Sequence, residues 1–202
     1  MLYLPLKRVG MEKRQTATEP LQWSTAQTIL KLLKIESRHK DRLLFGIGFY
    51  TGLRIGDILP LKWEQVSDIK DIVIFEGKSQ KPRKITFHRS LQTIFKETRA
   101  ALPTLSHLFI FAPDSNPGGN PISTTAANKR INNVFSRYGI TTQNPSSHTL
   151  RKTFARRVFE ASGKNDEALM LLCEILNHEH TAVTRRYIGL TAERIKNIYL
   201  NL

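Results

Sequence analysis

The apolar residues of this 202-residue chain change their period twice, and that change restricts the fold more than any other feature. From Ile29 to Ile47 they recur every three or four positions, the spacing of helices with one face turned inward. Between Asp71 and His88 they collect instead in two short runs, 71–76 and 84–88, bounded by polar residues, which is a strand signal. Beyond Ser90 the helical spacing returns. The pattern specifies a mainly α domain with a small antiparallel β-hairpin near its middle, an α+β arrangement.

Breakers and caps set the finer boundaries. Ser24 and Gln27 have the spacing of a capping box and open a first helix with Ile29, Leu30, Leu33 and Ile35 on one face. A second helix runs from Lys40 to Tyr50 and stops at Thr51 and Gly52. A short one over 54–59 follows and ends near Pro60. The stretch from Gly77 to Arg83 joins the strands as a basic tip. Further helices are expected over 90–102, 124–138, 148–162, 166–176, 181–187 and 191–199, with a short strand at 108–111. Gly, Pro and Asn gather in a loop at 114–121. Residues 1–22, with Pro5 and Pro20 and no sustained period, read as an arm or linker preceding one domain over 23–202.

Lys and Arg number 31 against 17 Asp and Glu, a net charge of +14. Such a surplus favours a polyanionic partner, nucleic acid first. A membrane is the weaker candidate, because no basic amphipathic helix, lipid signal or apolar run of spanning length is present. Cys173 is the only cysteine. That excludes an intrachain disulfide and a cysteine-built zinc site, and it suits a reducing, cytoplasmic setting. Its apolar surroundings, from Ala168 onward, make it a buried and inert thiol.

Four fragments carry chemistry. In the run Thr51, Gly52, Leu53, Arg54, the glycine permits a sharp turn and leaves Arg54 at the start of the next helix, where a guanidinium can fork onto a phosphate. Asp57, one turn on, can orient a neighbour, although taken alone the two read first as an ordinary surface pair. Lys78, Lys81, Arg83 and Lys84 crowd the hairpin. They suit a solvated turn, a tip that tracks phosphates, or a site with one catalytic lysine. Ser147 is placed to cap a helix on which His148 and Arg151, three apart, share a face near an N-terminus that favours anions. Leu176, Asn177 and His178 come next, and Tyr187 follows His178 nine residues on, across a short helix whose Arg185 and Arg186 suit solvent or DNA phosphate.

Singly, each fragment is as readily ordinary surface or packing. In order, they resemble the tyrosine recombinase (phage integrase) family over about residues 24–199. Thr51 to Arg54 is similar to its first arginine motif and Lys78 to its hairpin lysine. His148 to Arg151 is similar to its His-x-x-Arg box, and Leu176 to His178 to its Leu-Gly-His motif. Tyr187 falls at the place of its nucleophile. Asn177 stands where that family usually has Gly, Lys152 where His is frequent, and Gly56 where a small polar residue is usual. The helical core-binding domain common upstream in the family has no counterpart here. The chain therefore resembles either an excised catalytic domain or the small single-domain members.

The resemblance implies the tyrosine recombinase catalytic-domain fold and a site-specific DNA recombinase of integrase, excisionase or invertase type. Tyr187 would attack a phosphodiester to give a 3′-phosphotyrosyl link. Arg54, Arg151 and His178 would stabilise the charge, His148 would act as base with Asp57 in support, and Lys78 would protonate the leaving oxygen. Lys81, Arg83, Lys84 and Arg185 would hold DNA. No metal and no cofactor is implied. The implied partners are double-stranded DNA and further copies: a homotetramer on paired DNA sites, a monomer or weak oligomer without DNA. Residues 191–202, with Ile195, Ile198 and Tyr199 at helical spacing, are either a segment docking on the neighbour or a last helix packed on its own domain. Rival readings are a type IB topoisomerase, which would relax supercoils without site preference, and a non-catalytic DNA-binding regulator.

Overall fold

Helix α2 (His39–Thr51) is buried along most of its length, and four other helices pack against it among the described residues. It is apolar on every side, with Leu43, Leu44, Phe45, Ile47 and Phe49 all excluded from solvent, which suits a central helix. Its glycines set how near the neighbours come. A Cβ on Gly48 would stand 2.7 Å from Leu150 Cβ, and one on Gly46 would stand 3.0 Å from the end of Ile94. The first contact brings α6 (Ser147–Ala161) against α2, and the second brings α4 (Arg89–Ala101).

The computed structural model describes residues 18–66, 70–75, 82–102, 108–190 and 199–201. Among these, α1 (Trp23–Ile35) packs Ala26, Ile29, Leu30 and Leu33 on the core. The four-residue α3 (Ile55–Ile58) follows α2. Strands β1 (Asp71–Phe75) and β2 (Pro82–Thr86) pair antiparallel, Asp71 opposite Thr86 and Phe75 opposite Pro82. After α4 come α5 (Thr124–Arg137), α6, α7 (Asp166–Leu176) and α8 (Thr181–Tyr187). The mainly α architecture with one small antiparallel sheet is the one the sequence specifies. Among the described residues no helix is long and apolar enough to cross a membrane.

Among the described residues the apolar interior forms two clusters. The larger takes in α1 to α5, the hairpin and the start of α6 through Leu150. The smaller holds Ala155, Phe159, Ala168, Leu169, Leu172, Leu176 and Ile188, from the later turns of α6, from α7 and from the chain just after α8.

Several local expectations are corrected. Ser24 is not a cap: Gln22 occupies that position, no side chain closes the helix end, and Ser24 lies inside α1 with its carbonyl accepting from Thr28 Oγ1 at 3.0 Å. Ile35 is 78% exposed, because two positions beyond Leu33 it points away from the core. The second strand ends at Thr86, since His88 becomes the cap of α4, its ring accepting from Ser90 N at 3.1 Å. The 108–111 stretch makes only an isolated bridge, Lys62 with Phe109. Ser146, not Ser147, caps α6, in a capping box closed by Thr149. Of the expected arm over 1–22, residues 1–17, together with the hairpin positions 76–81 with Lys78 and Lys81 and 191–198 with Ile195 and Ile198, lie outside the described residues.

Candidate active site

The first arginine is placed by the end of α2. Gly52 has φ +60° and closes that helix in the left-handed region. A Cβ there would meet the Phe154 ring at 2.2 Å, so both the turn and the approach of α6 require glycine. The turn is braced from inside: Thr51 Oγ1 donates to the Ile47 carbonyl at 2.7 Å and accepts from Leu53 N at 3.2 Å. Arg54, half-buried, then occupies the residue before α3 in an extended conformation, and Asp57 is buried one turn later.

Arg151 on α6 is 3% exposed, and its fork holds two helix ends at once. Nη1 donates to the Gly52 carbonyl at the end of α2, and Nη2 donates to the Leu176 carbonyl at the end of α7 at 2.8 Å. Both are C-termini, where orphan carbonyls and the helix dipole favour a cation. One side chain thus joins the first arginine motif to the turn that carries His178.

That turn is closed by Asn177 at φ +51°. Asparagine is among the few residues that enter the left-handed region readily, so it serves where the family usually has glycine. His178 N donates to the Cys173 carbonyl at 3.0 Å, and the buried Cys173 thiol donates to the His178 carbonyl at 3.0 Å. The His178 ring pairs through Nδ1 with Thr184 Oγ1 at 3.0 Å. Thr184 is fully buried on α8, three residues before Tyr187. The Tyr187 ring meets the edge of His178 at 5.2 Å and 76°. On another side the Lys152 ammonium stands 5.0 Å from its centroid.

The Tyr187 hydroxyl is buried and makes no well-formed hydrogen bond. Burial pushes its pKa up to about 12, against the opposing pull of Arg151, by charge and at hydrogen-bonding range, and of the Arg54 charge. His148 occupies the first turn of α6 with much of its surface open. Loss of hydration is the largest cause lowering its pKa, followed by the charges of Arg151, Lys152 and Arg54. The imidazole is thereby biased toward the neutral form, able to accept a proton.

Arg54, His148, Arg151, His178 and Tyr187 therefore surround one place, from α3, α6, the α7–α8 turn and α8. The hairpin arginine turns inward: Arg83 Nη2 donates to the Thr51 carbonyl at 2.8 Å, beside the Arg54 turn. Lys84 is 68% exposed and lies 3.3 Å from Asp71. Arg185 pairs with Asp166 at the start of α7. Sequence reasoning noted Lys152 only as a departure and missed Thr184. The one usable signal for Thr184 was its place one turn before Tyr187, on the same helix face.

A buried tyrosine hydroxyl in the field of two arginines, on a mainly helical domain, is a setting suited to an anionic group. A sequence model of the phage integrase family matches residues 21–194, and the chain belongs to that family. A probable integrase/recombinase, YoeC, of Bacillus subtilis is 29% identical over 170 residues, 84% of this chain and 88% of YoeC. The tyrosine recombinase XerD of Corynebacterium glutamicum is 27% identical over 79% of this chain and 51% of its own length. The chain thus spans nearly all of the first relative but about half of XerD and of the XerC proteins it matches. Among solved structures, XerA recombinase superposes with TM-score 0.68 at 20% identity, over 90% of this chain and 64% of XerA. A lambda integrase dimer bound to a core site gives 0.61 at 20% identity, over 84% of this chain and 47% of that one. These two show the fold.

Proposed function

We propose that the protein is a site-specific DNA recombinase that cleaves and rejoins strands through a 3′-phosphotyrosyl link to Tyr187. The observation that carries this reading is the buried Tyr187 hydroxyl under the charges of Arg151 and Arg54, on a domain of this family. In the DNA-free arrangement the phenol is neutral, because burial opposes its ionisation. A phosphodiester entering beside Arg54, Arg151 and His178 has its non-bridging oxygens met by cations as extra charge develops in attack. Fixed positive charge of this kind lowers the barrier to phosphoryl transfer more than any other single effect. The phenolic proton passes to His148, biased toward its neutral form by loss of hydration and then by its cationic neighbours. Asp57, buried one turn from Arg54, supports the site. The leaving 5′-oxygen takes a proton from Lys78, a role that rests on the family order of motifs. Attack by a 5′-hydroxyl then reverses the step and releases Tyr187.

DNA is the partner that the +14 charge and the family favour. Lys81, Arg83, Lys84 and Arg185 contribute to that surface, Arg83 through the turn it braces. A homotetramer on paired sites, with 191–202 exchanged between neighbours, and action inside the cell on chromosomal or mobile DNA complete the proposal.

The test is covalent capture. A pool of nicked duplexes with randomised arms is offered to the protein, and adducts resistant to denaturant are recovered and sequenced. The wild type yields adducts on a defined sequence; Tyr187→Phe binds the same duplex and yields none. An adduct formed by the Phe variant overturns the nucleophile. Capture without sequence preference, together with relaxation of supercoils, would move the protein to the topoisomerase reading.

A further inference from the structure

Lys152 presents a charge where the fold would be served by a hydrocarbon. It is 9% exposed on α6, next to Arg151. A buried ammonium is costly unless partnered, and its two contacts here are unusual ones. Nζ donates to the Thr18 carbonyl at 2.6 Å, and it stands over the face of the Tyr187 ring. The chain entering the domain holds it there. Thr18 Oγ1 donates to the Asn144 carbonyl at 3.2 Å, and Leu21 N donates to Thr153 Oγ1 at 2.9 Å, so the segment carrying the Thr18 carbonyl is laid along α6.

We propose that Lys152 is the positioning cation of the nucleophile: its ammonium, anchored by the entering chain at Thr18, clamps the Tyr187 ring against His178 and stabilises the negative charge that ring carries when its hydroxyl attacks. This rests on the assignment of Tyr187 as nucleophile. The amine lies over the ring and not at the oxygen, so it does not take the proton; it acts through the π-face. A phenol attracts a cation there weakly, and a phenolate attracts it more strongly, so the contact favours the ionised form. The need is real, since burial holds the phenol neutral. Burial also lowers the pKa of Lys152, while the Glu19 carboxylate of the entering segment raises it and so helps keep the amine charged. The groups around the pair are Arg151 and His148 from α6, Arg54 from α3, His178 from the α7–α8 turn and Glu19 from the entering segment.

The experiment uses single-turnover cleavage of the captured duplex by the full chain. Lys152→Met keeps length and removes charge. It should cleave about thirtyfold more slowly, with binding within about twofold and a melting temperature equal to or above wild type. Lys152→His makes the charge titratable. Relative to wild type it should be as slow as the Met variant near about pH 8 and should recover as pH falls below the ordinary imidazole range, because burial beside Arg151 disfavours the charged ring. The ratio to wild type cancels the titration of His148. Wild-type cleavage by Lys152→Met overturns the proposal, as does loss of binding or of melting temperature in step with cleavage. So does a ratio for Lys152→His that stays flat with pH. An adduct formed by Tyr187→Phe would instead remove the nucleophile assignment on which the proposal stands.

Discussion

The two hydrophobic clusters differ in what they carry. The larger runs from α1 through Leu150 and fixes the Gly52 turn, Arg54 and the start of the His148 helix. The smaller joins α7 and the end of α8 to the later turns of α6, and it carries His178 and Tyr187. The Arg54 motif thus rests on a deep core of aromatic and branched side chains, including Phe45 packed edge-on to Phe49 and Phe135. The tyrosine rests on a few leucines and a phenylalanine. Between the two stands Arg151, whose fork reaches the Gly52 carbonyl on one side and the Leu176 carbonyl on the other. Apolar packing is hard to rearrange in part, whereas a few polar bonds exchange readily. The division places the Arg54 turn and Tyr187 on different parts of the core, with α6 common to both and its buried Arg151 guanidinium a polar joint between them.

The largest expected effect comes from removing that joint. Arg151→Met takes away two charge-assisted bonds to buried carbonyls, a loss of about 3 kcal/mol, and so lowers the melting temperature by roughly 6–12 °C. It also removes a cation from the site, and cleavage of the captured duplex should fall by about a thousandfold or more. Calorimetry and single-turnover assays check both. An unchanged melting temperature would mean the halves are joined by something other than the fork.

Next comes a matched pair. Leu44→Ala and Leu172→Ala each open a cavity at a fully buried leucine and should each cost about 2–5 kcal/mol locally. Hydrogen exchange separates them: the first should lower protection throughout α2, α4 and α6, the second chiefly in α7 and α8. Uniform loss in both variants would break the distinction between the clusters.

Acidification probes the site from the α6 side. The folded protein holds His148 below its ordinary pKa, first by loss of hydration and then by Arg151, Lys152 and Arg54. Its contribution to stability is therefore present above the unfolded value and is lost as pH falls through the folded one. If His148 is the base, the acid limb of the cleavage profile lies below the ordinary imidazole range. A limb at or above that range would remove it from the role.

The smallest effect is expected at the turn between α7 and α8. Asn177→Gly keeps the left-handed conformation and should change stability by less than about 1 kcal/mol, whereas Asn177→Val should cost about 1–3 kcal/mol and slow cleavage through displaced His178. Chemical denaturation of the two variants reads the difference.

Much of this was legible in order along the chain. The apolar period dictated helix, hairpin and helix again because which face is apolar is a local, one-dimensional property. Arg54, His148, Arg151, His178 and Tyr187 could be singled out because their order along the chain resembles that of one family's motifs, whereas helix starts, breakers and spacings alone left each as readily an ordinary residue. Ser24 and Ser147 misled for the same local reason: several hydroxyls near a helix start can cap it, and only the path of the incoming chain selects one. What the tertiary structure alone decided is convergence. Arg151 meets the Gly52 carbonyl 99 residues away because Gly48 lets α6 lie against α2. Arg83 turns toward the end of α2 instead of outward, and Lys152 comes to rest beneath Tyr187 against a carbonyl of the entering chain. Those contacts depend on which helix faces meet and at what distance, and periodicity within one segment carries no record of that.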